Sequence, residues 1–251
     1  MKNPDTIRNM FSTIAPKYDR ANSILSFGIH KFWRKELVSW IQSSQKERLL
    51  QDSPIKVLDC ATGTGDVAIE IKKALKDKAD VVGVDFCEPM LKVAPGKAKR
   101  QNLDIHFQVA DVMKLPFEDN TFDVVTISFG IRNVASAEEG IKEMTRVLKP
   151  RGELYILEFG QPESNFFSNA YNFYSQKVLP RVGAMVTGNK TAYEYLEDSS
   201  SQFPCKNHFL KMMQDSAPLY KVKFKALTMG VAYLYRGIKS DPTKPQATQA
   251  P

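Results

Sequence analysis

A glycine-containing loop and an acidic residue beyond it are the side chains best placed to bind a ligand. The loop occupies residues 59–65 (Asp-Cys-Ala-Thr-Gly-Thr-Gly), directly after a short apolar stretch. Glycine lets the backbone turn sharply and approach a ligand closely, and a helix that follows offers free N–H groups. Asp85 lies 21 residues after Thr64, about the offset at which an acid hydrogen-bonds a ribose in nucleotide-binding βαβ units. The spacing predicts a site for a ligand that contains adenosine.

The loop departs from the dinucleotide-binding pattern, and this departure reduces the range of candidate ligands. Gly63 and Gly65 are followed by Asp66, and the third glycine of the dinucleotide fingerprint is absent. A carboxylate at Asp66 would repel a pyrophosphate, but it is tolerable beside a ligand that carries a sulfonium and an ammonium. We therefore interpret Gly63, Thr64, Gly65 and Asp85 as ligand-binding residues and disfavour a nicotinamide dinucleotide.

Further candidate ligand-binding residues follow the third and fourth predicted strands. Asp111 and Val112 come after the third strand, where a carboxylate can accept a hydrogen bond from an adenine amino group. The alternative is that Asp111 only caps a turn before Leu115. Ser128 ends the fourth strand, beside the crevice in which open α/β sheets bind their ligands.

The scaffold for these side chains is an alternation of strand-like and helix-like stretches between residues 55 and 159, which is typical of a sheet with crossover helices. Residues 220–227 and 231–238 alternate in hydropathy around a short turn, as in an antiparallel hairpin. The pattern predicts an α/β fold with a seven-stranded, mostly parallel sheet and a terminal antiparallel hairpin. The first five strands are predicted at residues 55–59, 81–85, 105–109, 122–129 and 153–159.

Proline and glycine predict breaks in this pattern. Residues 150–152 (Pro-Arg-Gly) are predicted to turn the chain into the fifth strand. Residues 161–200 are rich in aromatic side chains and are predicted to form helices interrupted at Pro180 and Gly183. The last third of the chain therefore differs in character from the predicted sheet.

Charge, hydropathy and cysteine content indicate where the protein works and which kinds of site it lacks. The 251 residues carry a formal net charge of +7, divided as +5 in residues 1–50, −3 in residues 51–160 and +5 in residues 161–251. No apolar run approaches the roughly 20 residues that a membrane span needs, and no secretory signal is visible. The three cysteines lack CxxC or metal-type spacing, so we expect reduced thiols, no metal site and a cytoplasmic protein.

Several longer runs resemble the ubiquinone/menaquinone biosynthesis C-methyltransferase family, in particular its demethylmenaquinone methyltransferase-like members. The most specific is residues 121–134, which contain the run Ser-Phe-Gly-Ile-Arg-Asn. Residues 11–34, 146–159 and 195–204 are also similar to the family, so that the resemblance spans residues 8–239. Arg151 is a departure, since it occupies a position at which the family usually has glycine.

The resemblance implies a class I S-adenosylmethionine-dependent methyltransferase fold, with S-adenosyl-L-methionine as cofactor. The cofactor contacts that it implies are Thr64, Asp85, Asp111, Val112 and Ser128. It further implies an N-terminal helical lid over residues 1–50, a cofactor-binding core over 51–160, and a helical insert with the terminal hairpin over 161–239. Residues 240–251 lack apolar periodicity and are predicted to be a disordered tail.

The implied reaction is methylation of a ring carbon of a polyprenyl quinol, with demethylmenaquinol as the first choice. Methylation of the ubiquinone precursor 2-methoxy-6-polyprenyl-1,4-benzoquinol, or of both quinols, is the alternative within the family. Two remote alternatives stay open: a methyltransferase for another small molecule or RNA, and a non-catalytic scaffold that keeps the fold.

A quinol ring carbon becomes nucleophilic when an adjacent hydroxyl loses its proton, which makes a base useful. Tyr18, Asp19 and Arg132 are the candidate catalytic residues, and His30 is a further candidate base. Each has a structural alternative: a packing tyrosine beside a helix cap, a packing or surface histidine, and an arginine that ties a strand end to the next loop.

The basic flanks suggest an anionic partner, and the alternative is a solvated surface that binds no partner. We expect no nucleic acid, because no motif combines basic and aromatic residues for base stacking. Peripheral contact with an anionic membrane surface is the interpretation that suits a lipid-dissolved quinol, and a homo-oligomer stays open. Four aromatic side chains of the predicted insert are candidates for shallow insertion into lipid, and the alternative is that they build the core of the insert itself: Phe166, Phe167, Tyr171 and Phe173.

Overall fold

A central sheet organises the computed structural model, which describes residues 4–162 and 174–243. The four aromatic residues considered for lipid insertion, and residues 244–251 of the predicted tail, lie outside the described residues. Within the described ranges, seven strands form the sheet: β1 Ile55–Cys60, β2 Ala79–Asp85, β3 His106–Val109, β4 Phe122–Ser128, β5 Leu148–Phe159, β6 Leu219–Leu227 and β7 Ala232–Lys239.

The strand order is β3-β2-β1-β4-β5-β7-β6. Strands β1 to β5 run parallel to one another, whereas β7 is antiparallel to both β5 and β6. This arrangement confirms the predicted α/β fold with a mostly parallel sheet and a terminal hairpin. The order reverses between β1 and β4, which places the carboxyl ends of these strands beside the crevice where such sheets bind ligands.

Helices cover both faces of the sheet because neighbouring residues of the central strands point to opposite faces and both sets are apolar. On one face Leu58 packs in a core with Ile141 and Phe209, and on the other Val57 packs in a core with Ile41. The helices are α1 Pro4–Ile14, α2 Tyr18–Leu25, α3 Ile29–Ser44, α4 Lys46–Leu49, α5 Asp66–Leu75, α6 Glu88–Leu91, α7 Ala94–Lys99, α8 Ala137–Val147, α9 Leu179–Thr187, α10 Lys190–Gln202 and α11 Lys206–Ser216.

The N-terminal helices divide their packing between the sheet and the last third of the chain. Trp33 and Leu37 of α3 pack into one face of the sheet. Ile14 and Leu25 instead share an apolar cluster with Tyr193 of α10. The predicted division into lid, core and insert stays a prediction. Among the described residues, no helix has both the length and the apolar character needed to cross a bilayer.

Two predicted interruptions were wrong. Pro180 and Gly183 lie inside helix α9. Pro180 is the second residue of α9, and a π-helical turn, Tyr174–Val178, precedes α9 directly, so the helical course continues through the proline with a change of hydrogen-bond pattern. Gly183 lies so close to the ring of Tyr193 that a Cβ atom there would fall 2.4 Å from the ring carbons. Its absence of a side chain therefore serves close helix packing and does not end the helix.

The predicted turn before the fifth strand lies within β5, which already begins at Leu148. The turn residues cause a local irregularity, because the pairing with β4 shifts register between Phe122 and Val124. Arg151 adopts a φ of +63° there, a left-handed conformation that favours glycine. The departure at Arg151 therefore places a strained residue in a bulged strand.

We predict that Arg151→Gly stabilises the protein, because glycine adopts this φ without a steric penalty. The left-handed conformation costs a non-glycine residue roughly 1–2 kcal/mol, part of which is offset by the entropy that glycine loses on folding. The expected gain in the free energy of unfolding is about 0.5–1 kcal/mol, measured by urea denaturation. Arg151→Ala is the control, since it removes the side chain and keeps the strain. An equal gain in both variants would show that the side chain, and not the backbone, is responsible.

Candidate active site

The loop between β1 and α5 is held to the sheet by the buried carboxylate of Asp59. Its oxygens accept hydrogen bonds from the hydroxyls of Thr62, at 2.6 Å, and Thr126, at 2.7 Å. Burial raises the pKa of Asp59 to about 6, because removal from water disfavours the charged form. Asp59 has a structural role that the loop motif alone did not identify. The signal was an acid in the otherwise apolar segment of β1, since a buried carboxylate requires hydrogen-bond partners.

Asp85 holds the same loop from the neighbouring strand. One oxygen accepts a hydrogen bond from the backbone N–H of Gly63 at 2.7 Å, and the other accepts from that of Cys87 at 2.7 Å. Gly63 and Gly65 have φ values of +57° and +84°, which explains why glycine is used at both positions. A Cβ atom on Gly65 would also approach that of Ala94 to 2.8 Å, so Gly65 serves the turn and its packing.

A small cavity of about 130 Å³ opens beside Asp85 at the carboxyl ends of the strands. Asp111, Val112, Ser128 and Gly63, all candidate cofactor residues, line it as well. The side chain of Asp111 also accepts a hydrogen bond from the backbone N–H of Met113 at 2.9 Å. Asp111 therefore caps a turn, as the structural alternative stated, and lines the cavity as well.

Ser128 supplies a test of whether a polar ligand fits this cavity. Its hydroxyl oxygen is buried and has no hydrogen-bond partner within the described part of the chain. A buried hydroxyl without a partner costs free energy unless a ligand or water satisfies it. With the carboxylate of Asp85 in the same wall, the residues present fit the hydroxyls of a nucleoside.

A second, larger cavity of about 460 Å³ lies beside the first and is mainly apolar. Helices α1, α2 and α3 contribute one part of its wall, and α9 and α10 contribute another. The two cavities have six lining residues in common: Phe11, Tyr18, Ala61, Gly63, Ser128 and Phe129. The arrangement can hold a nucleoside-containing ligand and an apolar one on either side of a shared wall.

The candidate catalytic residues occupy different positions relative to the two cavities. Tyr18 lines both of them, and burial raises the pKa of its phenol, so it is protonated at neutral pH. Asp19 lines neither. It accepts hydrogen bonds from the hydroxyl of Thr64 at 2.6 Å and from the ammonium of Lys97 at 2.6 Å. Thr64 lines the larger cavity, so helix α2 contacts the loop through the Asp19–Thr64 hydrogen bond.

Arg132 lines the larger cavity but is committed to a buried ion pair. Its guanidinium lies 2.5 Å from the carboxylate of Glu158, and both side chains are almost fully buried. It also donates to the carbonyl oxygen of Phe129 at 2.8 Å. These contacts tie the end of β4 to β5, which was the structural alternative for this residue. A catalytic role of Arg132, Tyr18 or Asp19 stays a prediction.

His30 lies buried in the wall of the larger cavity. Its Nδ1 is 2.5 Å from the hydroxyl of Ser26, which itself donates to the carbonyl oxygen of Asn22 at 2.6 Å. Because that hydroxyl carries only one proton, the imidazole donates from Nδ1, and its Nε2 is the unprotonated nitrogen. Burial, followed by the charge of Arg34, lowers the pKa of His30 to about 4.

Asn133 is a further lining residue, which sequence reasoning noted within the Ser-Phe-Gly-Ile-Arg-Asn run but did not assign to the cofactor or the reaction. It borders the smaller cavity, and its side-chain oxygen accepts a hydrogen bond from the hydroxyl of Tyr195 at 3.1 Å. Tyr195 belongs to α10 and lines the larger cavity. This bond between residues 62 positions apart joins α10 to the loop after β4, and no local pattern signals it. Within the described residues, no group of three or more His, Cys, Asp or Glu side chains is placed to hold a metal ion.

Comparison with known proteins identifies the family to which this chain belongs. The ubiE/COQ5 methyltransferase family matches residues 1–239. The chain belongs to this family. Members are S-adenosylmethionine-dependent C-methyltransferases, so this protein is such an enzyme, and S-adenosylmethionine is its cofactor.

Curated relatives match along nearly the whole chain. A ubiquinone/menaquinone biosynthesis C-methyltransferase UbiE of Bdellovibrio bacteriovorus is 51% identical over 94% of this chain and 96% of its own length. A demethylmenaquinone methyltransferase of Deinococcus radiodurans is 41% identical over 93% of this chain and 92% of its own. Relatives within the ubiE/COQ5 family thus carry names from two quinone pathways.

Solved structures share the fold at low sequence identity. Magnesium protoporphyrin IX methyltransferase (ChlM) from Synechocystis PCC 6803, solved with bound SAH, superposes with a TM-score of 0.65 at 15% identity. The match covers 95% of this chain and all of that one. The CurJ carbon methyltransferase has a TM-score of 0.64 at 14% identity, covering 85% of this chain and 56% of that one. These matches confirm the class I methyltransferase fold.

We predict that Asp85→Asn weakens S-adenosylmethionine binding, because an amide keeps only one oxygen where the carboxylate uses both. Loss of a charged hydrogen bond is worth on the order of 1.5–3 kcal/mol, or about 10–150-fold in affinity. Isothermal titration calorimetry measures the effect. Asp80→Asn, an exposed position on the same strand, is the matched control. Equal affinities of wild type and Asp85→Asn, with both proteins folded, would remove Asp85 from the cofactor site.

We also predict that His30 makes stability depend on pH. The unfolded chain binds a proton near the ordinary pKa of 6.5, whereas folded His30 resists protonation until about pH 4. The free energy of unfolding therefore falls as the pH drops through this window, by up to about 3 kcal/mol at about 1.4 kcal/mol per pKa unit. The raised pKa of Asp59 acts in the opposite direction. Urea denaturation of wild type and His30→Gln, at about pH 7 and pH 4.5, isolates the contribution of His30. The variant should lose less stability on acidification, and parallel losses would contradict the prediction.

Proposed function

We propose that this protein transfers the methyl group of S-adenosylmethionine to a ring carbon of a polyprenyl quinol, with demethylmenaquinol as the first acceptor. The single observation that carries the proposal is the larger, mainly apolar cavity, which shares a wall with the smaller cavity beside Asp85. We call the smaller one the nucleoside cavity, since its residues fit the hydroxyls of a nucleoside. An apolar ring with a hydrocarbon tail suits the part of this cavity that is lined by apolar side chains of α1, α2, α9 and α10. The names of the relatives support the same class of acceptor.

Tyr18 is the proposed contact to the acceptor, because it lines both cavities. As a protonated phenol it can donate a hydrogen bond to an acceptor oxygen, which favours loss of the proton from that oxygen. We propose Asp19 and Arg132 as positioning residues. Asp19 acts through its hydrogen bond with Thr64, and Arg132 acts through Glu158 and the carbonyl of Phe129.

The function is tested with a panel of acceptors and S-adenosylmethionine labelled in its methyl group. We expect incorporation of label into demethylmenaquinol, located on the ring carbon by mass spectrometry. The matched comparison is 2-methoxy-6-polyprenyl-1,4-benzoquinol with the same prenyl chain. Higher kcat/KM for the benzoquinol would assign the ubiquinone pathway, and comparable values would assign both. No transfer to either quinol, with cofactor bound, would overturn the proposal.

We further propose that the enzyme takes its acceptor from the surface of an anionic membrane, since a polyprenyl chain stays in lipid. Phe27, in the turn between α2 and α3, lines the apolar cavity and is nevertheless 80% exposed. Phe32 of α3 and Met185 of α9 are 60% and 85% exposed. Lys31 and Lys35, near the same turn, are exposed as well. Apolar side chains among basic ones are the combination that favours shallow binding to an anionic leaflet.

We expect the protein to sediment with anionic liposomes at low salt and less with added salt, because surface attraction fades within a Debye length of about 8 Å at physiological ionic strength. Phe27→Asn should weaken the binding at least about tenfold, since insertion of a phenylalanine side chain is worth roughly 1.5–3 kcal/mol. Asparagine tolerates the φ of +49° at this position. Leu50→Asn is the control, because Leu50 is 77% exposed next to the amino end of β1, away from both cavities. Protein that stays in the supernatant with anionic liposomes would exclude docking by charge.

A further inference from the structure

Four charged side chains form a cluster beside the glycine loop: Asp19, Arg34, Asp66 and Lys97. None of them is among the candidate cofactor contacts. Asp66 lies 2.9 Å from the guanidinium of Arg34 and 2.5 Å from the ammonium of Lys97. Lys97 also reaches Asp19 at 2.6 Å. The side chains of Arg34 and Lys97 are only 12% and 15% exposed. The two positive and two negative charges balance, so the cluster as a whole is neutral.

Arg34 has unused hydrogen-bonding capacity in this cluster. One of its terminal nitrogens makes the ion pair with Asp66, while its Nε is buried and has no hydrogen-bond partner within the described ranges. A guanidinium carries five N–H donors in a planar fork that matches a carboxylate. A buried donor without an acceptor is costly, and Arg34 lines the larger cavity. This residue is therefore suited to a carboxylate that enters from the cavity.

The position of Arg34 relative to the nucleoside cavity indicates which ligand supplies the carboxylate that Arg34 could bind. Gly63 borders both cavities, and Thr62, Thr64, Asp66 and Arg34 line the larger one. A ligand with its adenosine beside Asp85 reaches the charged cluster by passing Gly63. The remote end of S-adenosylmethionine is an amino acid, which carries one carboxylate and one ammonium. A neutral zwitterion suits a cluster whose own charges are fixed and balanced.

We propose that Arg34 binds the carboxylate of the amino-acid end of S-adenosylmethionine, while Asp66 holds the guanidinium in place and faces the ammonium. The pKa of Asp66 is lowered, because the charges of Arg34 and Lys97 outweigh the effect of its burial. Asp66 is therefore ionised at neutral pH, as this role requires. The inference rests on the cofactor and is independent of the proposed acceptor.

The test compares two ligands that share the adenosine but differ at the other end. S-adenosylhomocysteine keeps the amino-acid group, and 5′-methylthioadenosine lacks it. For Arg34→Gln we expect at least about tenfold weaker binding of S-adenosylhomocysteine, the consequence of one lost charged hydrogen bond, by calorimetry. Binding of 5′-methylthioadenosine should stay within about twofold of wild type. Because no quinol is present, the result is separate from the test of the acceptor.

Two further variants define what the result means. Arg34→Lys keeps the charge and loses the planar fork, so it should weaken S-adenosylhomocysteine less than Arg34→Gln does and leave 5′-methylthioadenosine unchanged. Arg48→Gln, which removes an ion pair with Asp123 outside both cavities, should change neither ligand. Thermal unfolding confirms that each variant is folded. Equal weakening of both ligands by the Arg34 variants would make Arg34 a structural residue. Unchanged binding of S-adenosylhomocysteine would also overturn the proposal.

Discussion

The hydrogen bonds of two buried carboxylates determine the shape of the loop on which the site is built. Asp59 accepts from Thr62 and Thr126, and Asp85 accepts from the backbone of Gly63. A carboxylate buried without such partners would cost several kcal/mol, so the loop and the strand ends are stable only in combination. Both cavities border Gly63, and the loop therefore determines how they lie relative to each other.

Helices α1 to α3, together with α9 and α10, complete a site that the sheet alone would leave open. The sheet supplies the polar wall of the smaller cavity, and the helices on either side of it enclose the apolar one. Ile14 and Leu25 pack with Tyr193, so the two helical segments support each other across the cavity. Exclusion of water from such a space favours reaction of an activated methyl group with a carbon nucleophile over side reactions.

Local patterns in the sequence predicted the parts of the fold that depend on local order. The alternation in β6 and the apolar stretches of β1 and β2 correspond to observed strands, because side-chain periodicity reflects burial. The predicted strand β7 is also observed, but it is buried along most of its length and does not alternate. Pro180 misled the prediction, since its effect depends on which turn of a helix it occupies. Glu158 was invisible as the partner of Arg132, 26 residues away, because tertiary pairing has no local signature. The same holds for Arg34 and Asp66, whose proximity arises only when α3 packs against α5.

Strand ends line the smaller cavity and flanking helices line most of the larger one, and this separation bears on how the acceptor preference of such enzymes can change. The polar wall around Asp85 and Ser128 belongs to strand ends and loops within residues 59–135, whereas most of the apolar wall comes from residues 10–34 and 174–196. Substitutions in the flanking segments that spare Asp19 and Arg34 can therefore reshape the acceptor space while the proposed methyl-donor site keeps its residues. Exchange of these two segments between relatives that share both residues, on an unchanged sheet, would then change the acceptor space alone.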